Sequence, residues 1–292
     1  MEPAIIVLVA VSAVLHVGWN VRIKTAGDPL VAATIGLVAG ALVIVPLGFG
    51  WWLAGGARSL PADGLALGLL SGLFEAIYFV LLAAAYRRGD LSLVYPIARG
   101  TAPLLLVAVG VVLLGERLGE LGWLGVGGLF VGFFALQRPW AALRRGASVS
   151  GAVPFALATG VAIAAYTSVD RVGTRIIEPV PYAALLWLSG SVLLVLWVIA
   201  REGRAVLRPA RAVVRHASVG GLMTLAAYLL ILVALSVAPL TAVAPLRESS
   251  TVLAAAWGAV RLGEAVGRRD AARRIAASGL IVGGAILLAL DA

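Results

Sequence analysis

Cysteine is absent from this 292-residue chain, so disulfides and cysteine-ligated metals are excluded. Only two histidines occur, with no HExxH or similar spacing, so no metal is expected, and no motif calls for a cofactor. Charge is scarce as well. At 13% charged and 62% hydrophobic residues, with mean hydropathy +1.04, there are far too few charges to cover a water-soluble globule of this size. An integral membrane protein is the class that remains. The net charge of +9 would point a soluble protein towards nucleic acid, but here the basic residues sit in short connectors between apolar runs. No nucleic-acid partner is therefore expected. No basic stretch precedes the first apolar run, which is long enough to span a bilayer and is read as a helix rather than a signal peptide.

What the chain does have is apolar runs of membrane-crossing length, at 3–24, 30–54, 62–86, 91–114, 119–137, 151–169, 180–200, 216–236, 240–260 and 271–290. The expected fold class is all-α integral membrane, with ten transmembrane helices. The longest polar stretches, Arg138–Ser150 and Arg201–Arg215, are about 15 residues or fewer, too short for a soluble domain. The first of them divides the chain into five-helix halves, 1–140 and 151–292. Five is odd, so the second half enters the membrane from the opposite side, as an inverted-topology repeat around a central cavity. With Arg99 and Arg247 set aside as lying within spans, connectors after the odd-numbered helices hold seventeen basic residues, and the others hold four: Arg58, Arg117, Arg171 and Arg175. That bias predicts cytoplasmic odd connectors and both termini on the outer side.

The halves share a motif. Arg99, Gly110 and Leu114-Gly115-Glu116 align at one offset with Arg247, Gly258 and Leu262-Gly263-Glu264, and Pro96 recurs as Pro245 with a one-residue shift. Glycines at intervals of four, Gly36/Gly40, Gly64/Gly68/Gly72 and Gly128/Gly132, lay smooth strips along helix faces and predict close packing within the chain, with a monomer the expected state.

Charge at membrane depth is costly and marks a pathway or a binding site. Glu75, Arg99, Arg247 and Glu248 qualify. At ~1.5 Å per residue, Arg99 lies ~12 Å from the cytoplasmic edge and Arg247 ~10 Å from the outer edge, one towards each mouth of a common cavity. An arginine fork suits a carboxylate or a phosphate; the bland reading is internal pairing with Glu75 and Glu248. Pro96 and Pro245 remove helix hydrogen bonds and are candidate hinges. His16, Trp19 and Asn20 on helix 1, Tyr78 beside Glu75 on helix 3, Tyr95 on helix 4, Tyr166 on helix 6 and Tyr228 on helix 8 complete the candidate substrate-binding or gating set. Thr167, Ser168 and Asp170 add polar groups to helix 6. Trp51, Trp52, Trp123, Trp140 and Trp197 fall near span ends, where indoles anchor at the membrane interface.

Ten spans in two copies, His16-Val-Gly-Trp-Asn20, Tyr95-Pro-Ile-Ala-Arg-Gly-Thr-Ala-Pro103 and the repeated Leu-Gly-Glu resemble the drug/metabolite transporter superfamily, specifically its EamA-type exporters, including the YddG-like amino-acid exporters. The second copy departs from the pattern at Pro245-Leu-Arg247. The resemblance implies a basket-like bundle in a bacterial inner membrane whose cavity alternates its access, with amino acids and related metabolites as cargo. Cationic drugs and phosphorylated sugars stay open as alternatives. A lipid-modifying enzyme would need a nucleophile with its base or a carboxylate cluster, and the spans offer neither a Ser-Lys dyad nor a repeated Asp. No enzymatic activity is expected. A cytoplasm-specific reporter inserted between Arg204 and Arg208 should be active and one fused after Ala292 silent; the reverse pattern would overturn the orientation.

Overall fold

The computed structural model describes residues 1–24, 28–55, 60–88, 91–137, 149–203, 211–248 and 268–292. Among them are ten helices: α1 Pro3–Lys24, α2 Pro29–Ala54, α3 Ala62–Tyr86, α4 Leu91–Val112, α5 Glu120–Gln137, α6 Val149–Gly173, α7 Pro179–Glu202, α8 Arg211–Val237, α9 Leu240–Glu248 and α10 Arg268–Asp291. No strand occurs among the described residues. Five helices, α2, α3, α6, α7 and α8, are long and apolar enough to cross a membrane, and α1, α4, α5 and α10 carry shorter apolar segments.

Local chemistry sets the helix ends. Asp28 caps α2, its Oδ1 accepting from the backbone N–H groups of Leu30 at 2.8 Å and Val31 at 3.1 Å, with Pro29 in the first turn. After α4, Gly115 takes φ 67°, a conformation glycine adopts without a Cβ clash, and the Glu116 N–H turns back to the Gly110 carbonyl at 2.9 Å. Sequence and structure differ at α6, which runs past residue 169 to Gly173. Asp170 therefore lies inside the helix, and so does Arg171, which was assigned to a connector and is instead 7% exposed in the last turn. The helix continues because the charged side chains of this final turn find buried partners, described below, in place of water. The part of the ninth apolar run beyond residue 248 lies outside the described residues.

Helices of one half pack mainly on those of the other. α1 lies on α8, α2 on α7 and α8, α3 on α6 and α7, α4 on α6, and α5 on α10. Exchanging each helix of the first five with its counterpart five places on maps α1·α8 onto α3·α6 and α2·α8 onto α3·α7. The α2·α7 and α5·α10 pairs map onto themselves. Close approach at these seams depends on glycine: a Cβ on Gly221 would sit 2.1 Å from the Gly36 carbonyl oxygen, and one on Gly72 2.4 Å from that of Leu186. The strips at Gly36, Gly72 and Gly132 thus serve packing within the chain.

Contacts also sort the helix ends into two layers. In one, the Met1 ammonium donates to the Ala289 carbonyl at 2.8 Å, the Gly119 N–H to Asp291 at 2.8 Å, and the Trp51 indole to Glu178. In the other, Arg87 bridges Glu202 at 2.8 Å and Asp28 at 3.5 Å, and the Arg88 guanidinium covers Phe155 at 4.3 Å. The start of α1 and the end of α10 share a layer. Between the layers the outer surface is apolar, with Val14, Leu42, Leu124 and Leu196 each more than half exposed, as a lipid-facing surface requires. The chain is a multi-pass membrane protein.

The seams predict a contrast between glycines. Gly72→Ala and Gly221→Ala should each lower stability by about 1–3 kcal/mol, the usual cost of overpacking. Gly127→Ala, which meets open space, should be neutral. Thermal unfolding in detergent checks this, and three equal melting temperatures would remove glycine from the packing argument.

Candidate functional site

Each half brings one arginine to the centre. Arg99 on α4 is 4% exposed and its guanidinium touches Nε2 of His16 on α1, while the Trp19 indole nitrogen lies 3.0 Å from His16 Nδ1; a neutral imidazole accepts at only one of these two nitrogens. Arg247 on α9 is 7% exposed; its guanidinium donates to the Tyr166 hydroxyl at 3.4 Å and lies 5.0 Å from the Tyr228 ring centroid. His16 and Tyr166 stand 150 residues apart on the first helix of each half, so the two arginine contacts are counterparts. Desolvated guanidinium over an aromatic face is a favourable arrangement for a charge that cannot be given up.

A run of rings carries the contact across four helices. Tyr78 on α3 meets Tyr166 on α6 at 5.9 Å, Tyr166 meets Tyr228 on α8 at 5.9 Å, and Tyr228 meets Trp187 on α7 at 5.8 Å. All are within the edge-to-face and offset range in which ring quadrupoles attract. Behind them lies Asp170, fully buried, whose carboxylate accepts from the hydroxyls of Ser71 on α3, Tyr228 on α8 and, at 2.9 Å, Tyr182 on α7. Three donors from three other helices hold one anion.

Glu75 is different. It is 7% exposed on α3, and its Oε2 has no hydrogen-bond partner among the described residues. It opens on a cavity of about 30 Å³ lined also by Ser12, His16, Tyr78, Tyr166, Tyr228 and Arg247. That is room for a water or two. A molecule of amino-acid size would fit only if the surrounding helices moved apart.

At one end of the bundle, the first Leu-Gly-Glu motif acquires a role. Glu116 accepts from the N–H groups of Leu240 at 2.7 Å and Thr241 at 2.9 Å, at the start of α9, and from Arg171 Nε at 3.4 Å. Arg171 also donates to the Leu235 carbonyl at 2.7 Å. One carboxylate ties the end of α4 to the ends of α6 and α8 and to the positive pole of α9.

Of the residues singled out from sequence, His16, Trp19, Glu75, Tyr78, Arg99, Tyr166, Tyr228 and Arg247 are buried and lie together in this region. The side chains of Asn20, Tyr95, Pro96 and Glu248 lie outside the described residues. The backbones of α4 and α9 continue as helix through Pro96 and Pro245. Asp170 was named among the polar groups of helix 6 but not counted as a membrane-depth charge, because the sixth span was ended at 169 and the helix runs to Gly173. Sequence reasoning missed Ser71, Tyr182 and Trp187 altogether. A signal existed for Asp170: it sits four residues after Tyr166, on the same helix face.

Residues 150–290 match the family model described as "EamA-like transporter family", so the second half of the chain carries that family's signature. A solved structure described only as "Crystal structure of protein" superposes with a TM-score of 0.75 at 19% identity, covering 100% of both chains, which establishes a shared fold. No curated protein matches the chain.

The Asp170 cluster sets a stability test at a position away from the cavity. Tyr182→Phe deletes one donor and should cost about 1 kcal/mol, between the ~0.6 typical of interhelical hydrogen bonds in membranes and the ~1.5–3 of bonds to charged groups. Denaturation in mild detergent measures it; a variant as stable as the parent would show that this anion is not what joins the four helices.

Proposed function

We propose that the chain is a ten-span secondary transporter of the drug/metabolite class, built from two inverted five-helix halves, which exports small zwitterionic amino acids across a bacterial cytoplasmic membrane by alternating access. The observation that carries this reading is the pair of counterpart arginines at one small buried cavity between the halves, Arg247 on its wall with Glu75 and Arg99 behind it against His16. A carboxylate and an ammonium entering together would meet complementary charge and strand neither group at membrane depth. The family match of residues 150–290 supports transport, and the basic bias of the odd-numbered connectors supports termini on the outer side. Pro96 and Pro245, each in the sixth position of its helix, serve as hinges where one backbone hydrogen bond is already missing. Tyr95, Asn20 and Glu248 belong to the same lining in this reading.

A cationic cargo is the second reading, favoured by the adjoining rings of Tyr78, Tyr166 and Tyr228, which suit an ammonium face-on. Proteoliposomes holding the purified protein should show saturable counterflow of leucine or alanine with the cargo chemically unchanged. Arg99→Lys and Arg247→Lys should each reduce it about tenfold, the effect of losing ~1.4 kcal/mol of binding, since a point charge replaces a planar fork. Counterflow with a quaternary amine and none with amino acids would select the second reading, and lysine variants as active as the parent would remove the fork from recognition.

A further inference from the structure

The two acids of this region are built for different protonation states. Asp170 accepts from three hydroxyl donors, two on one oxygen and one on the other, an arrangement that favours its ionised form. Glu75, one turn along α3 from Ser71, is also buried but has an oxygen with no partner among the described residues. An ionised carboxylate in that condition is far more costly than a neutral one, because the acid form carries no net charge to desolvate and has its own O–H to offer. Among the described groups facing Glu75, Arg247 across the cavity supplies positive charge but no hydrogen bond to Oε2. From α6 come Tyr166 and Asp170, the latter an anion that disfavours a second one nearby. From α8 comes Tyr228, whose proton is committed to Asp170, and from α3 itself Tyr78. Arg247 on α9 is engaged with Tyr166 and the Tyr228 ring, and Arg99 on α4 with His16 on α1. α7 presents Gly190 here, and α2 has no charged residue along its length.

We infer that Glu75 is an exchangeable proton site, which holds a proton while the cavity is closed and empty and releases it when a cationic group of the cargo takes its place. The exchange step rests on the transport reading above; the proton on Glu75 in the empty protein does not. In the exchange, the carboxyl O–H bond breaks, the proton leaves to water on the side to which the cavity is open, and the carboxylate left behind pairs with the incoming ammonium. For a cationic cargo the net charge of the cavity is unchanged by the exchange; a zwitterionic amino acid brings its own carboxylate, so the cavity becomes one charge more negative, which Arg247 on its wall is placed to meet. Return of the empty transporter then requires a proton on Glu75, and transport becomes cargo-for-proton exchange.

Infrared difference spectroscopy of the purified full chain in lipid tests the site without any cargo. A protonated-carboxyl stretch should be present at neutral pH, disappear as the pH is raised, be lost in Glu75→Gln and persist in Asp170→Asn. Absence of the band in the parent at neutral pH, or its loss in Asp170→Asn with retention in Glu75→Gln, overturns the assignment. Should Glu75→Gln fail to fold, Glu75→Asp, which shifts the band without deleting it, identifies the same oxygen; an unshifted band overturns it. Leucine and tetraethylammonium, added in turn to weakly buffered protein with an indicator dye, then test the exchange: one proton should be released per probe bound, with matching loss of the band. Binding of a probe with no proton release overturns the exchange step. A band with no binding of either probe leaves Glu75 as a proton site, overturns the exchange and ends the reading of amino acids or amines as cargo.

Discussion

A charge inside a bilayer persists only if the fold supplies what water would have, and the centre of this protein is arranged around that constraint. Asp170 accepts hydroxyls from three helices other than its own, so α3, α6, α7 and α8 meet on one anion. The consequences spread from there. Tyr228, fixed at its hydroxyl, presents its ring to Arg247, and Tyr166 offers that arginine an oxygen. The positions of the cavity walls thus follow from satisfying a single carboxylate. Hydrophobic burial supplies little of this ordering, since lipid tails are as apolar as leucine; packing and hydrogen bonds do.

Glycine lets those bonds form. Where α2 meets α8 and α3 meets α7, backbones approach so closely that a single methyl at Gly221 or Gly72 would overlap a carbonyl oxygen. Both seams join one half of the chain to the other, and each is the counterpart of the other under exchange of the halves. Neither five-helix half encloses the cavity alone, because Ser12, His16, Glu75 and Tyr78 come from the first and Tyr166, Tyr228 and Arg247 from the second. Motion of one half against the other would therefore open or close the same site.

Much of this was legible before any coordinates. Apolar runs are a strong signal because the bilayer sets their length, and nine of the ten coincide with helices whose bounds differ by a few residues. Buried arginines were legible too, since charge in an apolar run has few innocent explanations. The polar cluster was harder. Ser71 and Tyr182 are ordinary residues in a membrane helix, and nothing along the chain announces that they converge across 99 and 12 residues of sequence on Asp170. Asp170 was legible as a polar group of helix 6 but not as a membrane-depth charge, because hydropathy, from which the span was drawn, drops where a helix ends on charged residues even when those residues are buried. Glu116 was visible as half of a repeated motif, but that its carboxylate would cap a helix 124 residues away is a property of the fold.

The halves are alike in plan and unlike in chemistry, and the difference bears on how such a site works. In the first half the arginine is met by an imidazole, a neutral acceptor able to take or give a proton. In the second it is met by a phenol and a ring whose own hydroxyl is bound to a fixed anion, so that Arg247 stands one residue away from compensating charge. A guanidinium backed by an anion is held more firmly than one backed by a neutral base. Equal and opposite halves would give two equivalent gates with no preference for either side. With one arginine anchored through Tyr228 to Asp170 and the other resting on His16, the two arginines of the proposed site would hold the same cargo group differently. In the alternating-access cycle proposed above, that asymmetry would change how strongly cargo is held in each orientation of the cavity and how fast each orientation forms. Net direction is set by the gradients that drive the cycle.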